Sequence, residues 1–450
     1  MASGSFPTLD ALHFPSAQQS ISQTLSSLRR SALSVSNRLQ SIESDAAFVR
    51  EVADHYGLPL VANERCGSWY IDPSAKAGSA YFKSTDGHTG QWDFSFRRLN
   101  LQLLPLASEH GGCVIVDSTR RGKLMPDALS KTVPIWCAVI NRALFPTQTA
   151  YHSVQLPPNY LGESEESQIA NRIDGFVSSL KGLKLDLEHL RQQLGKPLRV
   201  AWANRAYFYP TDLQTGNAYH LLVLCSASKR VHGAEMSEGG YIQGAGDDSE
   251  GWAHGLTPPV FWANHALLKR TSEEDLSDLI ADLVAEYNRN DTSCKTTLIT
   301  PTANLYLAQS DAALDVSRYD LVIDCSGAPA AVEESKTRLG LGCASGKLGS
   351  RDLRKALDQV KDFVGAQLGS HPTRSLLVTC ETGKDLSAGA LLAIICLFYN
   401  DEGAFDASQS TRSISKQFIR QRLAWIVSSK HDVNPSRSTL QSVNAFLMPA

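Results

Sequence analysis

The 450-residue sequence has no surplus of positive charge. Its 43 Lys and Arg stand against 46 Asp and Glu, a formal charge of −3. No global basic field is present to gather nucleic acid, so a polynucleotide partner has to be held by local patches. Nine cysteines are scattered without a CxxC pair or metal-ligand spacing, and they read as reduced thiols of the cytosol or nucleus. No apolar run approaches membrane length, and the Ser-rich N-terminal stretch shows no charged-then-apolar leader. The expectation is a cytoplasmic protein with no membrane contact and no obligate protein partner. No Walker A loop, G-x-G-x-x-G, HExxH or G-x-S-x-G occurs. These absences argue against a kinase, a Rossmann dehydrogenase, a zinc hydrolase and an α/β-hydrolase.

What is present suits a globular chain with ample core: 42% hydrophobic and 20% charged residues. Its length corresponds to about two to four domains. Ile21, Leu25, Leu28, Ala32, Val35, Leu39 and Ile42 follow a 4,3,4,3 spacing that predicts one face of a long helix, packed on its own domain. A second helix is expected from Asp45 to Tyr56, ending at Gly57. Leu180, Leu183, Leu187, Leu190 and Leu194 predict a helix, and Leu198–Ala203 and Tyr219–Cys225 predict strands. Ser272 caps a helix with Glu273, Glu274 and Asp275 in its first turn. The polar run Asn288–Lys295 is the expected boundary between a domain spanning 1–288 and one spanning 289–450. Strands alternating with helices predict an α/β domain with a central, mostly parallel sheet.

Four polar loops hold Gly with Ser, Thr, Lys, Arg or paired acids: 84–92, 117–123, 243–252 and 380–387. Their nearest bland readings are a hairpin, a solvated basic turn, an acidic surface loop and an ordinary strand-to-helix turn. The last is the most informative. The apolar run 376–378 reads as a buried strand, and Ala388–Tyr399, apolar on nearly every side, as a buried helix. A turn between such elements points backbone N–H groups at one spot, and with the helix dipole behind them these hold an anion. Gly112–Asp117, the loop to Lys123 and the helical run Asp127–Leu144 form a second strand–loop–helix unit, with Asp117 where Cys380 stands. Asp247 and Asp248 on a Gly-rich loop suit a hard cation such as Mg2+. Unaided, the residues describe a phosphate-handling protein, with Mg2+ as the cation the paired acids would suit.

Cys380-Glu381-Thr382-Gly383-Lys384-Asp385-Leu386-Ser387 resembles the phosphate loop of protein tyrosine and dual-specificity phosphatases, in which Cys is followed by five residues and then Arg. Cys380 and Gly383 fit, whereas Leu386 occupies the Arg position, so no phosphatase turnover is expected.

Across most of its length the sequence resembles the initiator tRNA phosphoribosyltransferases of fungi and plants. The resembling segments are Asn63–Pro73, Phe82–Trp92 with Phe94–Asn100, Asp117–Cys137, Gln243–Trp252 with Phe261-Trp262, Cys380–Ser387 and Asn434–Asn444. The resemblance implies a family-specific α/β N-terminal domain, a candidate tRNA-binding module, followed by a phosphatase-like α/β domain with the candidate donor site. It implies transfer of 5-phosphoribosyl from phosphoribosyl pyrophosphate to the 2′-hydroxyl of adenosine 64 of initiator methionine tRNA, which bars that tRNA from elongation. With Mg2+ expected, the 2′-hydroxyl attacks C1 of the donor and pyrophosphate leaves. Cys380, Glu381, Thr382, Gly383, Lys384, Leu386 and Ser387 are the candidate cradle for a donor phosphate. Asp385, Asp247 and Asp248 are candidate catalytic carboxylates, the last two also candidate metal ligands. Arg97, Arg98, Arg120, Arg121 and Lys123 are candidate tRNA contacts. Two other readings stay open: a catalytically dead phosphatase-like protein that only binds RNA or a phosphoprotein, and an active phosphatase using Cys380, against which Leu386 argues.

Overall fold

The structure, a computed structural model, describes residues 34–84, 90–120, 122–206, 218–231, 240–290, 296–311, 314–326, 337–408 and 414–448. Its first sheet contains β1 (Leu60–Asn63), β2 (Lys76–Ala80), β3 (Gly112–Asp117), β4 (Leu198–Ala203) and β5 (His220–Ser226). They lie in the order β2-β1-β3-β5-β4, and every pairing is parallel. Strand β3 sits at the centre, buried throughout. Its side chains alternate between faces. Val114 and Val116 pack under the helix Val35–Tyr56 and beside Val260 and Phe261, whereas Cys113 and Ile115 pack against the opposite layer, which includes Leu104, Ile135 and Val139. Helices thus cover both faces, which is why the central strand reads as a continuous apolar run.

The second sheet contains β6 (Thr297–Leu298), β7 (Leu305–Gln309), β8 (Leu321–Asp324), β9 (Arg338–Gly340) and β10 (Leu376–Cys380), in the order β6-β7-β10-β8-β9. Only the edge strand β6 pairs antiparallel. The helix Leu386–Phe398 follows β10 and is buried at every position. It is enclosed by the sheet and by the helices Gly346–Ser370, Lys416–Ser429 and Arg437–Leu447, which explains its lack of a polar face. The chain is therefore α/β with mostly parallel central sheets. The two strand–loop–helix units do not share a connectivity. The neighbours of β3 lie before and after it in sequence, whereas both neighbours of β10 precede it.

Several expected boundaries shift. Ile21, Leu25, Leu28 and Ala32 lie outside the described residues. The helix from Val35 runs unbroken to Tyr56, capped by Ser34 and closed by left-handed Gly57, so Asp45 starts no second helix. It is a buried mid-helix carboxylate that accepts from Tyr241 Oη at 2.9 Å and pairs with Arg205 Nη2 at 3.3 Å. The Leu180–Leu194 stripe is divided between two helices, Ile173–Lys181 and Leu187–Leu194. Lys184 at φ 56 breaks the spiral, and Asp186 caps the second helix through the amide of His189.

Burial pushes the Asp45 carboxyl up to about 8, against the opposing pull of Arg205 and Tyr241. Between roughly pH 4 and pH 8 the folded chain keeps a proton there that the unfolded chain has released. This group's contribution to stability therefore falls as pH rises through that window. Asp45→Asn removes the titration. Its melting temperature should decline less than the wild type's between pH 5 and pH 8, and an equal decline would refute this account of the helix.

Candidate functional site

In a parallel sheet of order 2-1-3, the connections leaving strands 1 and 3 part to opposite sides, and a crevice opens at their carboxyl ends. Here those ends are Asn63 and Asp117. Asp117 is fully buried. One oxygen accepts from Asn63 Nδ2 at 2.8 Å and the other from Arg65 Nη2 at 3.0 Å, Cys66 Sγ at 3.0 Å and the Ser118 amide at 2.8 Å. Asn63 is held in turn by Phe82, accepting its amide and donating to its carbonyl. Arg65 also donates to the Ser118 carbonyl.

The guanidinium of Arg65 bridges to a second acid. Its Nη1 lies 3.4 Å from Asp247 Oδ2, and Arg120 Nε lies 3.7 Å from the same oxygen. Burial pushes the Asp247 carboxyl up to about 6, and nearby Asp117 adds to the rise, while Arg65 and Arg120 pull against it. Asp247 Oδ1 and Ser118 Oγ are buried and make no hydrogen bond. Burial works against the charge on Arg65, but the Asp117 and Asp247 carboxylates beside it hold its pKa above the ordinary value, so it stays a cation. Burial and the two carboxylates raise the Cys66 thiol well above its usual range, so it serves as a protonated donor. Asp248 turns outward at φ 49 and pairs with Arg120 Nη1 at 2.6 Å. Asp247 and Asp248 thus point to different environments. Among the described residues no three His, Cys, Asp or Glu side chains converge as a metal cage.

The second site lies at the carboxyl end of β10. Gly383, at φ 63, passes so close to the backbone of Ala308 and Gln309 that a Cβ would collide with it. Cys380 Sγ lies 3.0 Å from Ser387 Oγ and 3.7 Å from Thr382 Oγ1. Burial pushes this thiol up, but donors from Ser387, Thr382 and the Asp385 amide outweigh it, and its pKa falls below the ordinary value. The loop therefore still gathers donors around the Cys380 sulfur. Asp385 Oδ1 accepts the Ser436 amide at 2.8 Å and ties the loop to the last helix. Leu386 is buried and packs into the core. Glu381 is exposed, and Lys384 Nζ reaches Asp432 at 3.4 Å. The notch beside Cys380, about 270 Å³, is walled opposite by Cys343–Gly346.

The five candidate RNA-binding cations separate. Arg97 and Arg98 line clefts between the two sheets. Arg120 belongs to the Asp117 site, and Lys123 lies 3.9 Å from Asp127 beside it. Arg121 and the loop core 85–89 lie outside the described residues. Lys384 shares a cleft of about 680 Å³ with Glu64, Tyr81 and Arg98, so the loops after β1 and β10 face a common space. Sequence reasoning missed Asn63, Arg65 and Cys66 as site residues. Their one signal was an Arg-Cys-Gly turn behind a short apolar run, and the acids they meet are 51 to 182 positions away.

Residues 28–285 match the family described as the Rit1 N-terminal domain, and residues 337–447 match the Rit1 DUSP-like domain. The chain is 34% identical to the Saccharomyces cerevisiae tRNA A64-2′-O-ribosylphosphate transferase, an alignment covering 95% of each. It is 37% identical to an uncharacterised protein of Schizosaccharomyces pombe, over 92% of this chain and 94% of that one. Two phosphatase structures align with 34% of this chain. Human DUSP28 is 15% identical, with 91% of it covered and a TM-score of 0.26, and the Yvh1 phosphatase domain of Chaetomium thermophilum is 16% identical, with 95% covered and a TM-score of 0.27. With the N-terminal match spanning more than half its length and the DUSP-like match following in order, the chain belongs to the Rit1 family.

Proposed function

We propose that this chain is a pentosyltransferase that moves ribosylphosphate onto the 2′-oxygen of A64 of initiator tRNA, the reaction for which its yeast relative is named in part. That 34% identity over 95% of both chains carries the reading and disfavours a protein that merely binds RNA. A phosphatase using Cys380 is disfavoured by Leu386, which lines the notch with a buried aliphatic side chain and offers a phosphate no cation. The donor is phosphoribosyl pyrophosphate, and the work is cytoplasmic. No helix among the described residues is long and apolar enough to cross a membrane.

The chemistry belongs at the carboxyl ends of β1 and β3. The 2′-hydroxyl forms a bond to C1 of the donor as the C1–pyrophosphate bond breaks, and negative charge collects on the leaving oxygens. Arg65 and Arg120 are the cations at this site, and a half-buried arginine stabilises that charge more than one in water does. Asp247, with its carboxyl raised to about 6 and one oxygen unpartnered, accepts the hydroxyl proton near neutral pH. Asp117 touches neither reactant and holds Arg65 in place. Mg2+ would be held in this corner by Asp247 Oδ1 and Ser118 Oγ, while Asp248, turned outward onto Arg120, lies away from it. When bound there with the donor, the ion would offset pyrophosphate charge.

A second reading places a donor phosphate on Thr382–Ser387, favoured by the donors that hold the Cys380 thiol below its usual pKa. In that division residues 1–288 would grip tRNA and 289–450 would hold the donor.

The test is a transfer assay with Mg2+, phosphoribosyl pyrophosphate and initiator or elongator methionine tRNA, following pyrophosphate release and tRNA mass. The expected result is one phosphoribosyl gained on initiator tRNA alone, and tight binding with no mass gain would sink the reading. Asp247→Asn should lower kcat about 10²-fold or more and abolish the rise of kcat/KM through about pH 6. An unchanged pH profile would remove Asp247 as the base. Cys380→Ser should keep transfer within about twofold, and no aryl phosphate hydrolysis should be seen in either protein. Hydrolysis lost in the serine variant would reinstate the phosphatase.

A further inference from the structure

Five cations that take part in no ion pair among the described residues gather in one place. A trough of about 550 Å³ runs between the two halves of the chain. Lys83, Arg97 and Arg98 line one wall, Lys416 and Arg420 line the other, and Asp93 is the single carboxylate among its lining residues. Lys83, Arg97, Lys416 and Arg420 are exposed. Among the described residues none of the five makes an ion pair, whereas Arg65, Arg120, Arg142 and Arg205 each do. Bringing five like charges together opposes folding, and a chain of net charge −3 has no general excess to place there. An anion with repeated charge relieves that repulsion.

The trough is a built feature. Arg420 lies over the Phe96 ring at 5.8 Å, and Arg97 Nη1 donates to the Pro435 carbonyl at 3.4 Å. Nearby, Gln417 and Gln421 both donate to the Gly182 carbonyl at 2.7 Å. These contacts fix the walls relative to each other. At one end Tyr81 and Arg98, stacked with the guanidinium 3.2 Å from the ring centroid, also line the cleft that holds Glu64 and Lys384. The basic trough is thereby continuous with the cleft lined by Glu64 and Lys384.

We propose that backbone phosphates of the acceptor RNA lie in this trough, gripped by cations from both walls. The DUSP-like half then serves as one jaw of the RNA clasp. This rests on the transferase reading above and adds Lys83, Lys416 and Arg420 to the tRNA contacts. Phosphate contacts position the RNA without reading its sequence, and each releases counterions.

The test measures initiator tRNA affinity of the full chain from 50 to 200 mM salt. One variant is Lys416→Ala with Arg420→Ala, and the other is Lys83→Ala with Arg97→Ala on the opposite wall. Each pair should weaken binding about tenfold or more and reduce the salt slope by about 1.8, the value for two lost phosphate contacts. Binding of phosphoribosyl pyrophosphate and melting temperature should stay at wild-type values. Wild-type tRNA affinity and slope in either pair would overturn the proposal, as would loss of donor binding alongside tRNA binding. If the wild type modifies tRNA while both pairs bind it normally, the clasp fails and the transferase reading stands. If the wild type does not bind tRNA at all, both fall.

Discussion

Asp117 has no solvent exposure, and four residues converge on its carboxylate. A buried charge without partners is costly enough that removing one member of such a pair destabilises by about 3–5 kcal/mol. This one requirement organises the N-terminal half. It draws Asn63 and Arg65 over the end of β3, so the turn after β1 has a single geometry. Arg65 then fixes the Asp247 loop, and Trp252 holds that loop from behind by donating to the Asp247 carbonyl. Two acids and two arginines, from three separate stretches of chain, meet because the parallel sheet ends there.

The C-terminal half shows what survives when a phosphate loop loses its arginine. The turn, the close backbone approach at Gly383 and the donors around Cys380 remain. Leu386 instead extends the core beneath the helix Leu386–Phe398. Asp385 has become a tie to Ser436. Such a loop lacks the bidentate clamp that transition-state charge demands. The outer helix of this half, Lys416–Ser429, presents Lys416 and Arg420 toward the other sheet.

Much of this was legible along the sequence where the signal is local. The apolar runs of β3 and β10 and the all-apolar helix after Cys380 announce buried elements by composition alone. The stop at Gly57 is local as well. What stayed hidden depends on distant partners. Asp45 reads as a helix start until Tyr241, 196 positions on, is seen to bond to it. The break at Lys184 is invisible in a leucine stripe whose spacing continues across it. Arg65 reads as one more polar turn residue, since the acids that give it a role sit on other strands and loops. The short edge strand β2 carries Gly and Ser where a strand pattern needs bulk. Resemblance placed the family, but it did not show which loop meets which.

The central claim is that Arg65, fixed by Asp117, holds the donor's pyrophosphate. Calorimetric titration of phosphoribosyl pyrophosphate into the wild type, Arg65→Ala and Lys384→Ala tests it most directly. The account predicts that Arg65→Ala loses donor affinity by about 10²-fold or more while Lys384→Ala stays within about threefold. Loss confined to Lys384→Ala, with Arg65→Ala binding as the wild type does, would contradict it and move the donor to the loop after β10.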